Sequence, residues 1–70
     1  MAHMIRVTRN KFNDEGTMEV DDFISINADN INIIEDSHLD SREKSRIIFN
    51  DGTSIYIIES RVELETLIDG

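Results

Sequence analysis

The carboxylates are the residues of this chain with the most chemical potential. Asp and Glu number 15 against 7 Lys and Arg, for a formal charge of −8. Adjacent pairs stand at Asp14-Glu15, Asp21-Asp22 and Glu35-Asp36. Paired-acid chemistry needs two carboxyl groups facing each other across a cleft. Neighbours on a strand point to opposite faces, so these pairs are not expected to converge on one substrate atom. His38 lies in a charged stretch without a nucleophile in any recognisable motif, and a triad would also need an orienting acid and an oxyanion hole. It reads as an exposed loop histidine. Asn27-Ala28-Asp29-Asn30-Ile31-Asn32 is rich in oxygen ligands but lacks the glycine and closing glutamate of a calcium loop. No cysteine is present, so disulfides and thiolate metal sites are excluded. The chain is therefore expected to be non-enzymatic, with no catalytic residues, no metal and no cofactor.

Charge sets the expected partner class. A nucleic-acid binder usually carries the opposite sign, because phosphate contacts supply much of its affinity. Direct DNA or RNA binding and docking on anionic membranes are both disfavoured. A basic protein is favoured, since a field of one sign steers the opposite sign toward it. The acids Asp14, Glu15, Glu19, Asp21 and Asp22 crowd nine residues, Asp29, Glu35, Asp36 and Asp40 follow, and Glu59, Glu63, Glu65 and Asp69 load the C-terminal end. Alternate strand positions are about 6.6 Å apart, close to the step between successive phosphates. Acids at that pitch could imitate a phosphate row, and two copies about a two-fold axis could imitate both strands of a duplex. Arg42, Lys44 and Arg46 are expected to pair within the chain, with neighbours such as Glu43 and Asp40.

The elements that must position these groups follow from patterning. Met1-Ala2-His3 reads as a cloning scar before a single domain over residues 4–70. A chain this short buries only about 60% of its unfolded surface, so oligomerisation is an expected support. Twelve isoleucines and no proline favour strands. Met4–Arg9 alternates as a strand, and Asn10–Glu19 reads as a loop. Phe23–Ile26 is a second strand, starting as early as Met18. Asn27–Asn30 is a turn, Ile31–Glu35 a third strand and Asp36–Ser45 a charged connection. Arg46–Asn50 and Thr53–Ile58 form a hairpin about Asp51-Gly52, the dipeptide of a type I′ turn. A two-residue turn there sets Ile48 opposite Ile55 and Ile47 opposite Tyr56. Ile48, Ile55 and Ile57 then share one face, and Ile47, Phe49, Tyr56 and Ile58 the other. The second apolar face predicts a homodimer built on Ile47, Phe49, Tyr56 and Ile58. Ser60-Arg61-Val62-Glu63 is a capping box that opens a helix whose apolar stripe is Leu64, Leu67 and Ile68. The fold expected is α+β: about five short antiparallel strands in a curled sheet, then one C-terminal helix. No apolar run approaches the roughly 20 residues of a membrane span. Together with the lack of cysteine and of a secretory signal, this gives a cytoplasmic expectation.

The order of these motifs resembles the FlbD-like family of small bacterial motility proteins. The likeness is carried by Met4-Ile5-Arg6-Val7-Thr8-Arg9, by Phe23 to Asn27, by Ile31-Asn32-Ile33-Ile34-Glu35, and by Asp51-Gly52 leading to Ile58-Glu59-Ser60 and the short helix. It implies strands followed by a terminal helix and no catalytic residues. The longer acidic stretch Asn10–Asp22 and the connection Asp36–Ser45 depart from that pattern. In size and charge the chain also resembles the small acidic host-takeover proteins of lytic phages, some of which are DNA mimics that occupy HU-type nucleoid proteins. The function expected is an inhibitor that binds a basic, histone-like protein and excludes DNA from it, in the host cytoplasm if phage-encoded. The alternative is a FlbD-like adaptor acting through protein–protein contacts.

Overall fold

A computed structural model describes residues 3–70. Met1 and Ala2 of the expected scar lie outside the described residues. The order is β1 (Met4–Phe12), β2 (Glu19–Asn27), a 3-10 turn (Ala28–Asn30), β3 (Ile31–Asp36), β4 (Ser45–Phe49), β5 (Ser54–Ile57) and α1 (Arg61–Asp69). β1 and β2 pair antiparallel, and β3-β4-β5 form a second antiparallel sheet. The expected α+β architecture, five strands and a terminal helix, is the one observed.

β1 and β2 run longer than composition suggested. Asn10, Lys11 and Phe12 continue the ladder opposite Asp21, Val20 and Glu19. The polar stretch read as a loop is therefore mostly strand, because cross-strand pairing outweighs local propensity. Only residues 13–18 form the loop. The Asn13 side-chain oxygen accepts from the Thr17 and Met18 amides, and Gly16 supplies the positive φ of 71° that the reversal needs. The core draws on Ile5 and Val7 of β1 and on Ile24 and Ile26 of β2, so the distal half of the hairpin stands out as an arm. The molecule is accordingly 39 Å long and 24 Å across.

The β4–β5 register corrects the sequence reading. Ile47 lies opposite Ile55 and Arg46 opposite Tyr56. The turn is a three-residue loop, not the two-residue type I′: the Phe49 amide donates to the Thr53 carbonyl and the Gly52 amide to the Phe49 carbonyl. A type I′ turn needs positive φ at both central residues. Asp51 does not adopt it; Gly52 does, at 89°. The Asp51 carboxylate instead accepts from the Thr53 amide at 3.0 Å and hydroxyl at 2.6 Å. That contact fixes Asp51 in the ordinary half of backbone space and leaves the reversal to Gly52.

The change in register sorts the side chains differently. Ile47, Phe49, Ile55 and Ile57 share the inner face and join the core, with Ile47 at 0% exposure. Ile48 and Tyr56 share the outer face. The proposed interface set of Ile47, Phe49, Tyr56 and Ile58 is thus not one surface: Ile47 is sealed inside and Phe49 packs against the core, while Tyr56 points the other way. In β3 a bulge between Ile31 and Ile33 has a related effect. Ile31 and Ile34 pack on the core while Ile33 stands outside at 47% exposure.

α1 begins as expected. Ser60 Oγ accepts from the Glu63 amide, and the Glu63 carboxylate accepts from the Ser60 amide. Leu64 is fully buried and Ile68 half-buried against the core. Leu67 departs from the expected stripe and is 40% exposed. Among the described residues no helix is long and apolar enough to cross a membrane.

Two outcomes test the turn. A Cβ at Gly52 would meet nothing within 4 Å, yet Gly52→Ala should cost about 1 kcal/mol in urea unfolding, because the left-handed backbone itself resists a side chain. The Thr53 hydroxyl, and after it the Thr53 amide, hold the Asp51 carboxyl below its ordinary range. Asp51 thus contributes stability that is present above the ordinary carboxylate range and lost as pH falls through its own lower pKa. An NMR titration should show the Asp51 pKa rising in Thr53→Val.

Candidate functional site

The structure disperses the acids expected to act together. Asp14 and Glu15 lie in the loop at the tip of the arm, both exposed. Behind them Glu19 accepts from the Asn10 amide group at 3.2 Å. Asp22 pairs with Arg9 at 2.6 Å on one face of the hairpin. Asp21, on the other face, pairs with Arg42, which also donates to Asn10 Oδ1 at 3.0 Å. Glu35 pairs with Arg46 at 3.2 Å, and Asp36 lies 3.8 Å from Arg61 at the start of α1. Asp29 sits in the 3-10 turn at the opposite end of β2 from the arm's tip, and Asp40 in the connection before β4; both are exposed. Four of the nine candidate acids are therefore committed to internal ion pairs, and the other five are spread over three places in the fold.

Arg42 and Arg46 of the basic run pair within the chain, but not with their sequence neighbours, and Lys44 is in none of the salt bridges among the described residues. Arg42 reaches back to β2 and Arg46 across to β3. The Ser41 hydroxyl takes Glu43 instead, and that contact is the chief reason the Glu43 carboxyl sits below its ordinary pKa. Arg42 lies outside the strands, so it does not share a strand face with Arg46. His38 is exposed in the same connection. Among the described residues no three His, Asp or Glu side chains are grouped so as to hold a metal ion.

Sequence reading missed a residue that ties the two sheets together. Glu59 lies two residues beyond the end of β5. Its carboxylate accepts from the Thr8 amide and from the Thr8 hydroxyl, both at 2.8 Å. Its backbone carbonyl accepts from the buried Ser45 hydroxyl at 2.7 Å. Just before it, the Ile58 amide donates to the Thr8 carbonyl at 2.8 Å. Thr8 thus presents both main-chain groups away from β2, and the Glu59 side chain takes the place of the next ladder carbonyl. The signal available in the sequence was an acid placed immediately after an apolar strand and before a helix cap.

Glu59 also lines a groove of 680 Å³ between β1–β2 and α1, with Arg6, Thr8, Phe23, Glu63 and Leu67. Phe23 is 61% exposed and carries the Arg6 guanidinium 5.4 Å from its ring centre. An exposed aromatic beside an exposed leucine, edged by charge, has the composition of a protein-contact surface.

Compared with family models, curated proteins and solved structures, the chain finds no match. The FlbD-like and phage-protein likenesses therefore enter below only as proposals.

Replacing Glu59 by Ala removes the acceptor of two Thr8 donors. Glu59→Ala should lower stability by about 2 kcal/mol. The Thr8 amide should lose hydrogen-exchange protection, while the β3–β4 amides keep theirs relative to global unfolding.

Proposed function

We propose that this chain is a non-enzymatic, acidic binding protein that occupies a basic, histone-like DNA-binding protein and excludes DNA from it. One observation carries the reading. Fifteen carboxylates face seven Lys and Arg, and among the described residues only four carboxylates sit in salt bridges. The remaining eleven leave a field that attracts a cationic surface. Such a partner acts on DNA in the bacterial cytoplasm, which would place this chain there too.

The geometry shifts the proposed contact away from the acids in ion pairs. Asp21, Asp22, Glu35 and Asp36 already neutralise arginines of the same chain. Asp14 and Glu15 at the tip of the arm, with Glu19, Asp29 and Asp40, are left to replace phosphates against Lys and Arg of the target. Glu65 and Asp69 add two exposed acids on α1.

A second reading, a FlbD-like adaptor that docks through hydrophobic contact, is favoured by the exposure of Phe23 and Leu67 in the groove. The two readings separate in one competition assay: displacement of fluorescent DNA from a purified HU-type protein over a salt series. DNA mimicry expects displacement that weakens steeply with salt and falls about tenfold or more in Asp14→Lys/Glu15→Lys, because steering and register depend on these charges. Displacement indifferent to salt and to that reversal, but lost in Phe23→Ser/Leu67→Ser, would transfer the function to the groove. Reversal of Asp21 and Asp22 is the poorer test, since it breaks the pairs with Arg42 and Arg9.

A further inference from the structure

The outer face of the β3-β4-β5 sheet differs in charge from the rest of the molecule. Cross-strand pairing places Ile33 beside Ile48 and Ser54, and Glu35 beside Arg46 and Tyr56. Ile33 is 47% and Tyr56 37% exposed, and Ile48 is half-buried. Arg46 is partly exposed, with 37% of its side chain open to solvent, but it is held along the sheet. Its guanidinium lies 5.7 Å from the Tyr56 ring centre, donates to Glu35 at 3.2 Å and donates to Ser54 at 3.2 Å. The patch therefore has an apolar middle and one charge of each sign, fixed against the sheet. It sums to zero on a chain of −8, and Lys44, just before β4, is cationic and exposed.

We propose that this face is where a second copy of the chain docks, about a two-fold axis that brings Ile33, Ile48 and Tyr56 of the two protomers together. Electrostatics selects the face. Two chains of −8 repel over most approaches, and like charges juxtaposed at a contact cost several kcal/mol. A neutral patch carrying Arg46 and Glu35 side by side is self-complementary under a two-fold operation, which sets each guanidinium toward the other protomer's carboxylate. The apolar trio forms the dry centre and the charged pair its border. Three side chains are a small centre compared with a standard interface of about 800 Å² per partner. The dimer is accordingly weak, with a dissociation constant on the order of 100 µM. It leaves the arm, with Asp14 and Glu15, and the groove at Phe23 uncovered, and it requires no other protein.

Sedimentation equilibrium of the full chain alone, from about 10 µM to about 1 mM, tests the dimer separately from any binding to a basic protein. The expected result is a mass that rises from monomer to dimer across that range. Ile33→Ser/Tyr56→Ser should raise the dissociation constant about tenfold or more, with circular dichroism and melting temperature little changed, since both side chains are exposed. Arg46→Glu and Glu35→Arg should each be monomeric alone and should dimerise when mixed one to one, because each then meets the opposite sign on its partner. A wild-type chain that stays monomeric throughout, a dimer that persists in the Ser/Ser variant, or a mixture that fails to associate would each overturn the proposal.

Discussion

Thr8 and Glu59 are the contact on which the rest of the fold depends. Neither the long hairpin nor the three-stranded sheet could stand alone: a lone hairpin is marginal in water, and one sheet needs a partner layer. The junction joins them where β5 ends. One backbone bond from Ile58 to Thr8 continues the sheet by a single rung, and the Glu59 carboxylate then takes the place of the next. Hydrogen bonds to a charged acceptor are stronger than neutral ones. The same residue receives the Ser45 hydroxyl from β4 and leads into the Ser60 cap of α1. Four elements are therefore referenced to one side chain and its backbone.

That geometry organises the charge. With β1 pinned at Thr8, the residues beyond it project as an arm, and the arm must balance its own acids locally. Arg9 and Arg42 do so for Asp22 and Asp21, one on each face. Arg46 does the same for Glu35 on the second sheet. These ion pairs are at least partly exposed, and each adds little to stability. Their larger effect is to set which carboxylates remain uncompensated: those at the arm's tip, in the turn before β3, in the loop before β4 and along α1.

The sequence was legible where periodicity is local. The alternation of β1, the apolar strands around residues 31 and 47, and the Ser60–Glu63 box all lie where patterning puts them. It was less legible wherever a side chain competes with the backbone. Asp51-Gly52 reads as a two-residue turn until the Asp51 carboxylate takes the Thr53 amide. One extra loop residue then re-pairs β4 with β5 and moves Tyr56 away from Ile47. Asn10 to Phe12 reads as loop because its strand character comes from Glu19 to Asp21, several residues further on. The candidate site was least legible of all. Which acid meets which arginine depends on contacts 11 to 25 residues apart in sequence, and no local pattern encodes them. Glu59, which by sequence is one more acid of the C-terminal end, shows the same limit from the other side.

A core of six buried apolar side chains is small support for a charge of −8. Self-repulsion among like charges opposes compaction, and more so at low salt. Optimised for stability alone, such a chain would shed acids from its exposed positions, where most substitutions matter little. Asp14 and Glu15 illustrate the point: among the described residues they cap nothing and pair with nothing, and they stand at the tip of an arm that turns on Asn13 and Gly16. Under the proposed function, the repulsion these acids bring is relieved when a cationic surface replaces the counterions around them. Any partner that binds only the folded state also stabilises it by mass action. Folding and partner binding would then draw on the same charges, and the acids that contribute least to the isolated fold would contribute most to the complex.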